Sequence, residues 1–141
     1  MVAWTLIACS LSGTSGLPEG MIGLDVGGQV FRVEVSDEPG ERQAGLMYRT
    51  EMESDSGMVF VYPDEKTRSF WMENTRIPLS IAYIDRAGTI VHIAEMVPFD
   101  RSPVSSVFPA MYALEVNRGQ FKLLGIEKGD KVTGLPGPSK E

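Results

Sequence analysis

The sequence contains a small set of side chains whose chemistry suits the binding of a ligand. Arginine guanidinium groups make bidentate contacts with carboxylates and phosphates. An exposed indole ring supplies a flat apolar platform for a sugar or a peptide. An asparagine at a polar corner and a glutamate on the solvent or cleft side of a strand add polar contacts. The candidates of these types are Arg42, Arg49, Trp71, Asn74 and Glu115.

Each candidate also has a structural interpretation, and the sequence leaves both interpretations open. Arg42 can form an internal ion pair, with Glu115 or Asp85 as its partner, that fastens one element to another. Trp71 can belong to a second layer of the core, and Asn74 can simply form a tight turn. If the candidates meet in one concavity, binding or catalysis is favoured. If they are scattered or paired, a structural role is favoured.

The sequence contains no recognisable catalytic motif, so we assign no catalytic residue. A nucleophilic triad would have to use His92, the only histidine, and no nucleophile-elbow motif accompanies it. The leading hypothesis is therefore a domain that binds a small ligand or a protein partner without catalysis. A hydrolase-like enzyme that uses Arg42, Asn74 and Glu115 in a cleft is the first alternative. A structural accessory module is the second.

Composition limits the partners of this chain. Its 141 residues are 43% hydrophobic, which suits one globular domain with a core of its own. The net charge of −6 and the pI of about 4.8 argue against nucleic acid as a partner, since a nucleic-acid-binding domain presents a basic face. No loop has calcium-binding spacing, and a single cysteine excludes a cysteine-based metal cluster. We predict a monomer that needs no metal or cofactor.

The residues before the domain predict export. The segment Leu6-Ile7-Ala8-Cys9 fits a bacterial lipobox, and the residues from Ser10 to Gly20 form a Ser-, Gly- and Pro-rich tether. We predict lipidation of Cys9, contact with a membrane only through that anchor, and localisation at the cell envelope. Because the box follows so closely on Met1, this prediction requires a start further upstream. The alternative is an incidental thiol in an unmodified N-terminus.

The elements that must position the candidates are mostly strands. Apolar and polar residues alternate in short runs between turn residues, and one run, Met58 to Tyr62, is apolar on both faces and is expected at the centre of a sheet. Pro63 to Arg68 is predicted to be a polar loop. The other predicted strands include Ile22 to Val26, Phe31 to Val35, Ser69 to Glu73, Leu79 to Ile84, Thr89 to Met96 and Tyr112 to Val116.

One short helix is predicted after the second strand. The run Ser36-Asp37-Glu38-Pro39 combines a capping residue, early acids and a proline in the first turn, which is typical of a helix start. The spacing of Arg42, Leu46 and Arg49 places them on one side of that helix. The predicted organisation is then residues 1–20 as tether, residues 21–134 as one β-rich domain, and residues 135–141 as a disordered tail.

Ordered motifs are spread over nearly the whole domain, at residues 42–49, 57–61, 70–79, 84–88, 114–119 and 125–130. Together they resemble domain-of-unknown-function family 192, a group of small, often exported prokaryotic proteins. The resemblance implies a compact, mainly β domain, a small barrel or sandwich with one or two short helices, and it supplies no activity. Ser80 departs from the family pattern, which usually has aspartate there.

Overall fold

A computed structural model describes residues 16–141. The predicted lipobox and Cys9 lie outside the described residues. The elements in chain order are β1 (Met21–Val26), β2 (Gln29–Ser36), α1 (Pro39–Ala44), β3 (Ser56–Lys66), β4 (Ser69–Phe70), β5 (Leu79–Ile84), β6 (Ile90–Met96), β7 (Val104–Ser105), β8 (Ala110–Asn117), α2 (Gln120–Leu123) and β9 (Val132–Thr133).

Seven strands form one sheet in the order β6-β5-β8-β3-β2-β1-β9, and β4 pairs with β7 in a second, two-stranded sheet. The large sheet curls into a half-barrel. Its two ends are joined near the start of β6, where the Ile90 amide donates to the Asp130 carbonyl at 2.9 Å and the Val132 amide donates to the Gly88 carbonyl at 2.8 Å. The predicted fold class, a mainly β domain with one or two short helices, is confirmed.

Both faces of the central strands are buried, because alternate side chains enter two separate clusters. The first, which we call the barrel core, draws residues from every strand of the large sheet and from α2. The second, which we call the outer core, lies on the other face, under segments that do not belong to the large sheet. The barrel core includes Leu24, Phe31, Val59, Ala82, Ile90, Leu114, Val116, Phe121 and Val132. The outer core includes Leu46, Met58, Phe60, Met72, Ile77, Ile81, Tyr83, Met96 and Ala113.

The helix is shorter than the sequence predicts. It begins at Pro39, as expected, but it ends at Ala44. Gly45 stops it with a φ of 49°, and a β-carbon there would lie 3.3 Å from the Phe60 ring. Leu46 and Arg49 therefore lie in the turns that follow, so the prediction that they share one side of a helix with Arg42 was wrong.

Two strand boundaries also differ from the prediction. β3 continues to Lys66 through Pro63, which was predicted to begin a loop. The pairing with β8 shifts register between Val61 and Lys66, and proline is tolerated in such an irregular stretch because no ladder hydrogen bond is lost. The predicted strand that begins at Ser69 ends at Phe70 rather than at Glu73.

Candidate functional site

Glu115 lies in β8, an interior strand of the curled sheet that pairs with β5 and β3. Its neighbours across the sheet are Met58 of β3 and Ile81 of β5, both apolar. Leu114 and Val116 point into the barrel core. Because side chains alternate along a strand, Glu115 points to the outer core. Only 4% of Glu115 is exposed.

Within residues 16–141 the Glu115 carboxyl has no hydrogen-bond or ion-pair partner, but it is not sealed from solvent, because the Ser36 Oγ is the one side-chain atom there that is both fully buried and unpaired. None of the hydrogen bonds or ion pairs among residues 16–141 involves its side chain. Burial raises the pKa of this carboxyl to about 8, because transfer from water into an apolar surrounding disfavours the charged form. At neutral pH the group is therefore mostly protonated and carries one O–H donor.

A cavity of about 240 Å³ opens onto Glu115. Aromatic rings of β3 and β4 form part of its wall, and the Phe60 and Phe70 rings meet edge to face with centroids 4.9 Å apart. Trp71, which follows β4 and is 44% exposed, stands at the boundary with solvent. Polar and apolar atoms contribute about equally to the lining. Its lining residues are residues 42–47, Phe60, Tyr62, Ser69, Phe70, Trp71, Thr75 and Glu115.

Arg42 reaches the cavity from α1. Its Nη1 donates to the Asp37 carbonyl at 2.8 Å and to the Val61 carbonyl at 3.1 Å. It also lies 3.4 Å from Ser139 Oγ. The described residues contain no ion pair of Arg42 with Glu115 or Asp85, so the internal ion pair considered from the sequence is not formed. Within that part of the chain, its Nε and Nη2 donate no hydrogen bond.

A second guanidinium group supports the cavity wall from behind. The Arg68 guanidinium lies 3.6 Å from the centroid of the Tyr62 ring, and that of Arg42 lies 4.8 Å from it. Burial raises the pKa of the Tyr62 hydroxyl, while the two guanidinium groups act in the opposite direction. Arg68 is held in place by a 2.8 Å hydrogen bond to the Ala110 carbonyl and by an ion pair with Asp64.

Three of the five predicted ligand-binding residues, Arg42, Trp71 and Glu115, line this one cavity. Asn74 lies beside it, at a corner with a φ of 51°, and its Nδ2 donates to the Tyr48 hydroxyl at 3.1 Å. Arg49 lies outside this cavity and forms a two-bonded ion pair with Glu34. Their roles in binding a ligand stay predictions.

The sequence analysis missed several cavity residues. Phe60 and Tyr62 follow Met58 at intervals of two along β3, so the alternation itself places all three on one face. For Tyr62 the signal is the phenol group, since a tyrosine hydroxyl on a buried strand needs a partner or access to water. Phe60 has no polar group, so only its place on that face could have selected it. Arg68 and Thr75 carried no such signal.

Other groups with chemistry lie away from this cavity. His92 stacks on Tyr83 with ring centroids 6.3 Å apart. No cluster of three or more His, Cys, Asp or Glu suited to a metal ion occurs within residues 16–141. In the same part of the chain, no helix has the length and hydropathy needed to cross a membrane.

Comparison with known proteins places the chain in a family that is described as uncharacterized. The model of family DUF192, described as uncharacterized ACR, matches residues 22–134. A crystal structure from Novosphingobium aromaticivorans DSM 12444, of a protein of unknown function, is 39% identical with a TM-score of 0.74, over 79% of this chain and 84% of that one. Another, a "putative transcription regulator" from Sinorhizobium meliloti 1021, is 34% identical with a TM-score of 0.75, over 79% of this chain and 90% of that one. No curated protein matches the chain.

Proposed function

The chain belongs to domain-of-unknown-function family 192, and on the geometry of its cavity we propose that it is a non-enzymatic domain that binds a small ligand. One observation carries this proposal. The carboxyl of Glu115 is buried on a central strand, has no partner among the described residues, and lines an open cavity.

A purely structural role does not account for this carboxyl. Burial of a carboxyl costs stability because it removes much of the hydration of the charged form, and burial accordingly raises the pKa of Glu115. The residues beside Glu115 in the sheet, Met58 and Ile81, are apolar, so an apolar side chain would pack there without that cost. Groups that cost stability are typical of functional sites. The carboxyl, the ring walls and the free donors of Arg42 together form a pocket of mixed polar and apolar lining, in which a few polar groups converge as small ligands require.

We propose that the domain binds its ligand at the cell envelope. The lipobox-like segment that ends at Cys9 and the polar tether after it support export and anchoring through lipid. The domain then acts as a tethered monomer. Mass spectrometry of the protein from its native membrane fraction checks the anchor, and a mature protein with an unmodified Cys9 contradicts it.

A thermal-shift screen of a small-molecule library tests binding itself, because a ligand that binds only the folded state raises the apparent stability. We expect compounds that raise the Tm of the wild-type chain and of Arg49→Met, whose arginine lies outside the cavity. The same compounds should leave the Tm of Glu115→Met unchanged. If no compound depends on Glu115, the cavity does not bind ligands, and the accessory-module alternative is favoured.

One feature favours a second candidate function, that of a hydrolase-like enzyme. A carboxyl whose pKa is about 8 can donate and accept protons near neutral pH, which suits a general acid or base. Arg42 lines the same cavity, whereas Asn74 lies beside it. Turnover of ester or amide substrates that is lost in Glu115→Gln would establish this alternative over simple binding.

The name of the relative from Sinorhizobium meliloti suggests a role in transcription for that protein. For this chain we propose no contact with nucleic acid, because a net charge of −6 disfavours the phosphate backbone. A gel-shift titration with random duplex DNA at low salt checks this. Binding in the micromolar range would contradict it.

A further inference from the structure

We infer that the ligand of this cavity is a small carboxylate with an apolar body, whose carboxylate is held between the Glu115 carboxyl and the Arg42 guanidinium group. This inference rests on the proposed binding function and specifies its ligand. It follows from the hydrogen-bonding capacity, the charge and the shape of the cavity.

Glu115 offers the ligand a hydrogen-bond donor. With burial this complete, the neutral acid is the favoured form at pH 7, and its O–H lacks an acceptor among the described residues. An anionic oxygen is the strongest acceptor that a ligand can supply, since charge-assisted hydrogen bonds are shorter and stronger than neutral ones. The proton stays between the two carboxyl groups, so no second proton is needed.

The charges around the cavity disfavour a ligand cation. A cation would seek the aromatic faces, but guanidinium groups already lie over two of the four aromatic rings that line the cavity. Arg42 and Arg68 lie over the Tyr62 ring, and Arg101 lies 5.7 Å from the centroid of the Trp71 ring.

Two acids near the cavity are already paired with other arginines. Asp64 pairs with Arg68, and Glu73 pairs with Arg101. Arg42 has carbonyl oxygens and a hydroxyl as its partners, and no carboxylate within the described residues. Its charge is therefore left to attract an anion, and its Nε and Nη2 are free to bind one.

The shape of the cavity argues for an apolar body. The rings of Phe60, Phe70 and Trp71 provide apolar contact away from the polar atoms. A volume of about 240 Å³ is below the usual range of drug-sized pockets, roughly 300 to 1,000 Å³. A single ring or a short chain with one carboxylate fits these conditions, and a nucleotide or an oligosaccharide does not.

Calorimetric titration of the full chain with benzoate, benzamide, benzylamine and inorganic phosphate tests this inference. We expect benzoate to bind most tightly at pH 6, with binding weakened at least tenfold at pH 9.5. The ionised Glu115 then repels the ligand and has lost its donor. Arg42 and Tyr62 line the same cavity as Glu115. Burial, together with the charge of Glu115, raises the pKa of both Tyr62 and Tyr83, so Glu115 should dominate the change in this range.

Three variants sharpen the test. Glu115→Gln retains a neutral donor, so benzoate should still bind, but the dependence on pH should disappear. Arg42→Met should weaken benzoate binding tenfold or more and leave benzamide binding little changed. Arg49→Met is the matched control, since its guanidinium group is paired with Glu34 outside the cavity, and its affinity should equal that of the wild type.

The outcomes distinguish the two proposals. If benzylamine binds more tightly than benzoate and gains affinity as pH rises, the site prefers a cationic ligand. The inference of a carboxylate ligand is then wrong, while the proposed binding function stands. Equal affinities for benzoate and benzamide, or for benzoate and phosphate, also overturn it. If no probe binds and no library compound depends on Glu115, both proposals fail.

Discussion

The two faces of β8 are equally buried, but they have opposite chemistry. Leu114 and Val116 are fully buried among other hydrocarbon side chains in the barrel core. Glu115, between them in sequence, is only 4% exposed and lines a cavity that aromatic rings and Arg42 also line. One face of the strand follows the rule that a core is apolar and well packed. The other face breaks it at one residue, and such local violations are typical of functional sites.

The largest expected effect is that of pH on the free energy of unfolding. It should arise from Glu115, on the face of β8 that points to the outer core. The pKa of Glu115 is about 8 in the folded chain against its ordinary value of 4.5. Between these values Glu115 retains its proton in the folded state and loses it in the unfolded state, so its contribution to stability is fully present below pH 4.5 and is lost as pH rises through 8. At about 1.4 kcal/mol per pKa unit, the loss across the interval from 4.5 to 8 is roughly 5 kcal/mol.

Urea unfolding at several pH values from 4.5 to 9 measures this loss, and Glu115→Gln is its control. The other titrating groups are common to both chains. The difference between the two chains in how the free energy of unfolding changes with pH is therefore due to Glu115. A difference that does not change with pH would show that Glu115 is ionised or solvated in the folded protein. The contrast between the two faces would then disappear.

The inner face should respond to a loss of volume. We expect Leu114→Ala to lower the free energy of unfolding by about 3 kcal/mol, since deletion of a buried leucine side chain removes contacts and leaves a cavity. The loss should be the same at pH 5 and pH 8. Denaturant unfolding with an unchanged m-value measures it. A loss below about 1 kcal/mol would mean that the barrel core is loosely packed there.

The corner beside the cavity should contribute less. Asn74 has a φ of 51° and holds Tyr48 through its side chain, so Asn74→Ala should cost about 1 kcal/mol through the lost hydrogen bond and the strained backbone. Asn74→Gly tolerates this φ and should cost less. Thermal unfolding compares the two variants. Unaltered melting of Asn74→Ala combined with lost ligand binding would assign Asn74 to the site instead.

The sequence predicted the strands well because their signal is local. Alternation located β5 at Leu79–Ile84, as observed, and the doubly apolar run from Met58 predicted the central position of β3. The helix was overextended because the stop at Gly45 depends partly on the distant Phe60 ring. Such long-range contacts do not appear in a pattern of neighbours.

The site was predicted in part for a similar reason. Alternation indicated that Glu115 is on the face opposite Leu114, and the structure places it there. Whether that face is solvent, cleft or core depends on the segments that cover it, including the residues around Thr75. Arg42 and Arg49 look alike in the sequence, yet one lines the cavity and the other pairs with Glu34. The difference arises because the helix that carries Arg42 ends before Gly45, so Arg49 lies in the turns that follow.

The smallest expected effect separates the cavity from an internal ion pair. In a double-mutant cycle with Arg42→Met and Glu115→Gln, the coupling energy at pH 6 should stay within about 0.5 kcal/mol. Arg42 bonds to carbonyl oxygens rather than to Glu115, and the neutral carboxyl offers it no charge. At pH 9 the ionised carboxyl becomes a counter-charge across the cavity, so a favourable coupling should appear. Unfolding curves of the four chains at both pH values measure this change.

A coupling above about 1 kcal/mol at pH 6 would mean that the two side chains already form a buried pair. Removal of one partner of such a pair strongly destabilises the protein. Arg42 would then fasten α1 to the sheet, and the outer face of β8 would be as structural as the inner one.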